Sequence, residues 1–172
     1  MTLRRKYRRR LAIAFLALAG LPAISNAQAS LTATAGMAVG VEIVAACTVS
    51  VADLDFGAYA SNSKTPVQGQ TTIQLRCGAG AVAELSLDAG SGPGATTSNR
   101  RLEQDSGKSR LDYDLFQDPG RTIHWGNRSG VDTLEVMATG AQQTVPIYGQ
   151  IPAGQRALEG TYSDTITLRV QY

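Results

Sequence analysis

Residues 31–47 read LTATAGMAVGVEIVAAC, and their alternation decides the class of fold. The odd positions are Leu31, Ala33, Ala35, Met37, Val39, Val41, Ile43, Ala45 and Cys47, while the even ones begin Thr32, Thr34, Gly36, Ala38, Gly40 and Glu42. A strand sends successive side chains to opposite faces, so this period of two marks an extended chain with one apolar face. Extended throughout, the stretch would reach about 56 Å. A domain of about 145 residues is only about 37 Å across, and ordinary strands run to about 3–10 residues. One strand in one domain cannot use the whole pattern. Either the chain folds back at Gly36 or Gly40, or its first half is buried elsewhere.

Beyond residue 47 the same period recurs in short runs: Ile73-Gln74-Leu75, Leu85-Ser86-Leu87, Leu111-Asp112-Tyr113-Asp114-Leu115 and Ile166-Thr167-Leu168-Arg169-Val170-Gln171-Tyr172. Turn-forming clusters separate them, among them Ser61-Asn62-Ser63, Asp118-Pro119-Gly120 and Pro152-Ala153-Gly154. No amphipathic helical period appears in this part. Short strands at this spacing predict an all-β, immunoglobulin-like sandwich.

Upstream, Arg4, Arg5, Lys6, Arg8, Arg9 and Arg10 precede the apolar run LAIAFLALAGL at residues 11–21, and small residues follow up to Ala27 and Ala29. That is the layout of a secretory signal peptide, expected over residues 1–27 with cleavage after Ala27 or Ala29. The run is too short to span a bilayer as a stable helix. The whole chain carries 16 Lys+Arg against 14 Asp+Glu. Without the six leader cations the balance is ten against 14, a formal charge of −4. Nucleic-acid binding thereby loses its compositional support, and no integral membrane segment is expected after processing. Residues 28–39 then form an N-terminal extension and 40–172 one domain, exported through the periplasm to the cell surface or secreted.

The two cysteines, Cys47 and Cys77, suit an oxidising compartment and allow a single internal pairing. Closing a loop of about 30 residues would stabilise the fold by roughly 3–4 kcal/mol.

The run to Tyr172 is the clearest strand and ends on the last residue. Counted from the N-terminal strand it would be about the sixth, leaving none for a seventh in an immunoglobulin-like sandwich. A missing edge strand leaves unpaired backbone and an open apolar groove. A surplus strand at one end and a deficit at the other are both resolved by donor-strand complementation. On that reading Leu31, Ala33, Ala35, Met37 and Val39 are the donor residues. Val41, Ile43, Ile166, Leu168 and Val170 line the acceptor groove.

The order Ala46-Cys47-Thr48-Val49, Leu54-Asp55-Phe56-Gly57-Ala58-Tyr59, Cys77, Trp125-Gly126, residues 145–155 (VPIYGQIPAGQ) and Gly160-Thr161-Tyr162-Ser163-Asp164-Thr165 resembles the spore coat protein U domain family. That family includes subunits of archaic chaperone–usher pili. The resemblance covers nearly all of the chain after the leader. It implies an incomplete immunoglobulin-like sandwich, a periplasmic chaperone, an outer-membrane usher and fibres of like subunits built by donor-strand exchange, with a role in adhesion and biofilm formation. A secreted coat component of the spore-coat kind is the alternative. A tip adhesin fits less well, because a receptor-binding domain has no room in about 145 residues.

The polar residues suggest no chemistry of their own, and no catalytic, cofactor or metal site is expected. His124 beside Trp125 has no recognisable nucleophile motif to serve, and reads as a strand-end residue next to a core anchor. Asp112, Asp114 and Asp118 lack an EF-hand spacing; the first two share a strand face, expected to be the wet one. Arg100 and Arg101 read as a solvated loop pair. Phe56, Tyr148 and Tyr162 read as packing residues, and Asp164 as the cap of a turn.

Overall fold

The computed structural model describes residues 46–172, together with 37, 38, 40 and 41. Its contacts divide the chain into a unit of residues 1–41 and a second of 42–172, and the strands belong to the second. Nine strands and no helix are found among the described residues. They are β1 (Cys47–Val51), β2 (Val67–Cys77), β3 (Val82–Leu87), β4 (Arg100–Gln104), β5 (Arg110–Phe116), β6 (Leu134–Met137), β7 (Gln143–Ile151), β8 (Tyr162–Ser163) and β9 (Leu168–Gln171). One sheet runs β1-β2-β7-β5-β4-β8 and the other β6-β3-β9, with every pairing antiparallel.

Period-2 sequence becomes a two-layer core. In β2 the apolar set Ile73, Leu75 and Cys77 is buried while Gln74 and Arg76 point outward. In β3 Leu85 and Leu87 face them from the smaller sheet, and β5 and β7 add Tyr113, Leu115, Val145, Ile147 and Ile151. Trp125 lies fully buried in this core, its indole N–H donating to Leu85 O at 3.0 Å. Each Leu or Ile buried this way stabilises the fold by about 1.5–3 kcal/mol relative to exposure.

Cys47 opens β1 and Cys77 closes β2, directly opposite in register, and they are joined by a disulfide. The expected bridge is present.

Three expectations change. The last strand is the ninth rather than about the sixth, because β4, β6 and β8 are not among the alternating runs; β4 and β8 are held by pairing with β5 and with each other, and β6 by pairing with β3. Arg100 is not a solvated loop residue but is completely buried at the start of β4. Its guanidinium donates to Leu87 O, Asp88 O, Thr97 O and Trp125 O and meets Asp114 at 3.3 Å. Asp88, Thr97 and Trp125 lie outside the strands, and a five-donor head satisfies their carbonyls and that of Leu87 at once. Asp114 also takes a contact of 3.0 Å from His124 Nδ1, so its side of β5 is only partly wet. Burial raises the Asp114 carboxyl above its usual range despite these partners.

Candidate functional site: an open groove between the sheets

Residues directly opposite each other in an antiparallel ladder turn their side chains to the same face. Val49 stands opposite Leu75 and Val51 opposite Ile73. Both partners are buried on the core face, at 0% exposure, yet Val49 is 44% and Val51 50% exposed. A core face has been left uncovered.

The neighbouring sheet explains part of this. Strand β9 bonds to β3 on one side and, among the described residues, to no strand on the other. Leu168 and Val170 stand opposite Leu87 and Leu85, so they too belong to the core face, but they are only partly buried. A groove of about 1010 Å³ is lined by Ile166 and Leu168 on this side and by residues 51–59 on the other. Its floor includes Leu87, Tyr113, Leu115 and Ile147.

Each wall is held by specific bonds. Beyond β1 the chain stays on β2 through Ala52 N–H to Thr72 O (3.3 Å) and Thr71 Oγ1 to Ala52 O (2.8 Å). Leu54 and Phe56 then settle over Gly69 and Gly149, which face each other across β2 and β7. A Cβ on Gly149 would stand 2.7 Å from both side chains, so glycine is what makes the seat. Tyr59 closes the segment, donating its hydroxyl to Pro152 O at 3.1 Å and accepting from Gln155 N–H at 2.9 Å.

On the opposite wall Asp164 accepts hydrogen bonds from Ser91 N–H and Oγ–H (2.7 and 2.8 Å) and from Tyr113 O–H (2.7 Å). Burial, then the bond to Asp164, pushes the Tyr113 phenol well above its usual range, so it stays a donor. Asp88 fixes the approach to β9 by accepting from Thr167 N–H at 2.9 Å. Burial opposes its charged form, but this and the other bonds it accepts outweigh that and hold it below the usual carboxylate range.

Of the residues expected to line an acceptor groove, Ile166 and Leu168 do line this one, and Val170 packs on the core beside it. Val41 is 87% exposed, and Ile43 lies outside the described residues. Of the expected donor set, Met37 is 85% exposed; Leu31, Ala33, Ala35 and Val39 lie outside the described residues, as does the expected leader. The wall at 51–59 and the staple at Asp164 escaped sequence reasoning. Two glycines inside strand patterns, Gly69 and Gly149, were the available signal of close approach.

A family model for the Spore Coat Protein U domain matches residues 33–169. The chain belongs to the spore coat protein U domain family. Within it, Protein U of Myxococcus xanthus is 32% identical over 172 residues, covering 92% of this chain and 95% of that protein. Among solved structures, this spore coat U domain is similar to a chain of a chaperone–tip adhesion subunit pre-assembly complex from the archaic chaperone–usher Csu pili of Acinetobacter baumannii. The TM-score is 0.53 at 23% identity, over 76% of this chain and 40% of that one. At such identity the likeness concerns fold, and it agrees with the immunoglobulin-like sandwich read from the strand pattern. This chain spans well under two thirds of that relative's length.

Proposed function

We propose that this chain is a structural subunit of an exported surface fibre of the archaic chaperone–usher kind, polymerising by donor-strand exchange. The observation that carries the proposal is the uncovered core face: Val49 and Val51 exposed opposite buried partners, with β9 unpaired on one edge among the described residues. An added strand would pair with the free edge of β9 and set alternate side chains over the floor of the groove, the arrangement of β-augmentation. Residues 28–39 of another copy supply the strand, with Leu31, Ala33, Ala35, Met37 and Val39 inward. Until then a periplasmic chaperone shields the groove, and an outer-membrane usher passes the subunit out, where the fibre serves adhesion and biofilm formation. The leader at 1–27 starts this route. The structure of a chaperone–subunit complex among the relatives supports the reading, as does the disulfide, which suits an oxidising compartment.

The spore-coat description of the matched family favours a second reading, a layer rather than a fibre built through the same groove. Expression of the full chain in cells supplying a chaperone and usher, followed by electron microscopy, separates the two: fibres are expected for the first and amorphous or sheet-like material for the second. A Leu168→Asp subunit should be exported but form neither, because it places a charge in the groove without a partner. Normal polymers from Leu168→Asp would show that the acceptor lies elsewhere.

A further inference from the structure

Gly69 and Gly149, opposite each other on β2 and β7, are gripped from both faces of the sheet. On the inner face Leu54 and Phe56 occupy the space where their side chains would be. On the outer face lies Arg121, from the loop between β5 and Trp125. Its guanidinium is 5.8 Å from the ring centroid of Tyr148, which the alternation of β7 turns outward between buried Ile147 and Gly149. Nε donates to Gly149 O at 3.0 Å, one terminal nitrogen to Gly69 O at 3.3 Å and the other to Pro119 O at 2.9 Å. Arg121 takes part in none of the ion pairs among the described residues. Its donors go to backbone.

The backbone of Arg121 is left-handed, with φ 55°, a conformation that a side chain makes uncommon. Its neighbours hold it there. Arg121 N–H donates to Asp118 O at 3.0 Å, and the Asp118 carboxylate accepts from Thr122 N–H, Thr122 Oγ1–H and Ile123 N–H. Strain maintained in this way aims the side chain back across β7 to β2, and an outlier of that kind points to a use. The use is visible in the glycine pair. Two opposed glycines lack the cross-strand side-chain contact that ordinarily stabilises paired strands. A carbonyl oxygen has two lone pairs, so each can accept from the guanidinium in addition to a ladder partner. One planar fork on both carbonyls ties the two strands together where side chains cannot.

We propose that Arg121 is a positioning residue for the groove. It is not among the residues that line the groove. It fixes the level and spacing of Gly69 and Gly149, on which Leu54 and Phe56 rest, and so sets the depth of the wall against which an added strand packs. This rests on the groove being a strand acceptor, and adds a residue on the far face of the sheet on which its shape depends. Lysine is no substitute, because a point donor meets one carbonyl where the fork meets both.

The test uses the dilute full chain, a dye-labelled peptide of residues 28–39 as the strand, and urea unfolding of the same variants. Arg121→Gly removes the head and also relieves the left-handed backbone, so the urea midpoint should stay close to wild type. Peptide affinity should nevertheless fall about tenfold. Arg121→Lys keeps the charge without the fork, and should lose most of the same affinity. A cycle with Leu54→Ala reads the route. Leu54 lies on the opposite face, so an effect carried through the seat leaves Arg121→Gly with little further cost once Leu54 is truncated. Losses that simply add, or a fall in affinity matched by the fall in urea midpoint, would overturn the positioning role. Wild-type affinity in Arg121→Gly, with uptake abolished in Leu168→Asp, would also overturn it and leave the acceptor reading standing. Uptake that ignores Leu168→Asp would overturn the acceptor reading itself.

Discussion

At the scale of single residues, Arg100 shows how an all-β core tolerates a full charge. Its head donates to four carbonyls, on Leu87, Asp88, Thr97 and Trp125, and pairs with Asp114. Substitution Arg100→Met would keep much of the stem's volume but strand those carbonyls and leave Asp114 with His124. Each buried unsatisfied group costs about 1–3 kcal/mol, so a loss of at least about 3 kcal/mol is expected, read as a fall in the urea midpoint at unchanged slope. Asp88 makes a different claim, about pH. Its folded pKa lies below the ordinary value, so its contribution is present above the unfolded carboxylate pKa of about 3.9 and is lost as pH falls through the folded value. The gap in urea midpoint between the wild type and Asp88→Asn should be widest near pH ~6 and narrow steadily below pH ~4. A gap that stays constant down to pH ~2 would show that charge at Asp88 contributes nothing.

At the scale of elements, the alternation of β2, β3, β5 and β7 was legible because both sheets bury one face, and burial writes a period of two into the sequence. Strand β1 keeps the odd parity of the run at 31–47 through Cys47, Val49 and Val51, while residues 31–36, 39 and 42–45 lie outside the described residues. Other features left no such trace. Strand β4 carries Arg100 on a buried position, so hydrophobic periodicity fails where a hydrogen-bond hub does the work of an apolar residue. The wall at 51–59 has no ladder of its own for most of its length; Leu54 and Phe56 are placed by what Gly69 and Gly149 lack. That absence can be tested. Gly149→Val would force its side chain into Leu54 and Phe56, and overpacking of this kind costs roughly 1–3 kcal/mol. The wall would swing away from β7, so uptake of an added strand should weaken more than the fall in stability accounts for. Strand binding and urea unfolding measured on the same variant check this, and equal losses in the two would argue that the seat serves stability alone.

At the scale of the whole molecule, the question is what covers the groove in the assembled state. If residues 28–39 of another copy cover it, binding energy rests mainly on Leu31, Met37 and Val39, each worth about 1.5–3 kcal/mol when fully buried. Ala33 and Ala35 contribute less and demand close approach. Backbone hydrogen bonds along the edge of β9 then set register more than energy, since each replaces a bond to water. The competing account has the same extension fold back, through Gly36 or Gly40, onto its own domain; glycine permits either turn. Deleting residues 30–38 sets the two apart. An extension that serves a neighbour is dispensable for its own domain, so the shortened subunit should fold and keep a groove that accepts another copy's strand. It should be unable to enter a neighbour's groove, and so end a chain instead of lengthening it. An extension that serves its own domain would be missed at once: the shortened subunit should unfold at markedly lower urea than the full chain, with neither forming polymer. Urea midpoints and electron microscopy of mixtures of shortened and full-length subunits read both outcomes, and fibres that shorten as the truncated fraction rises are the expected result.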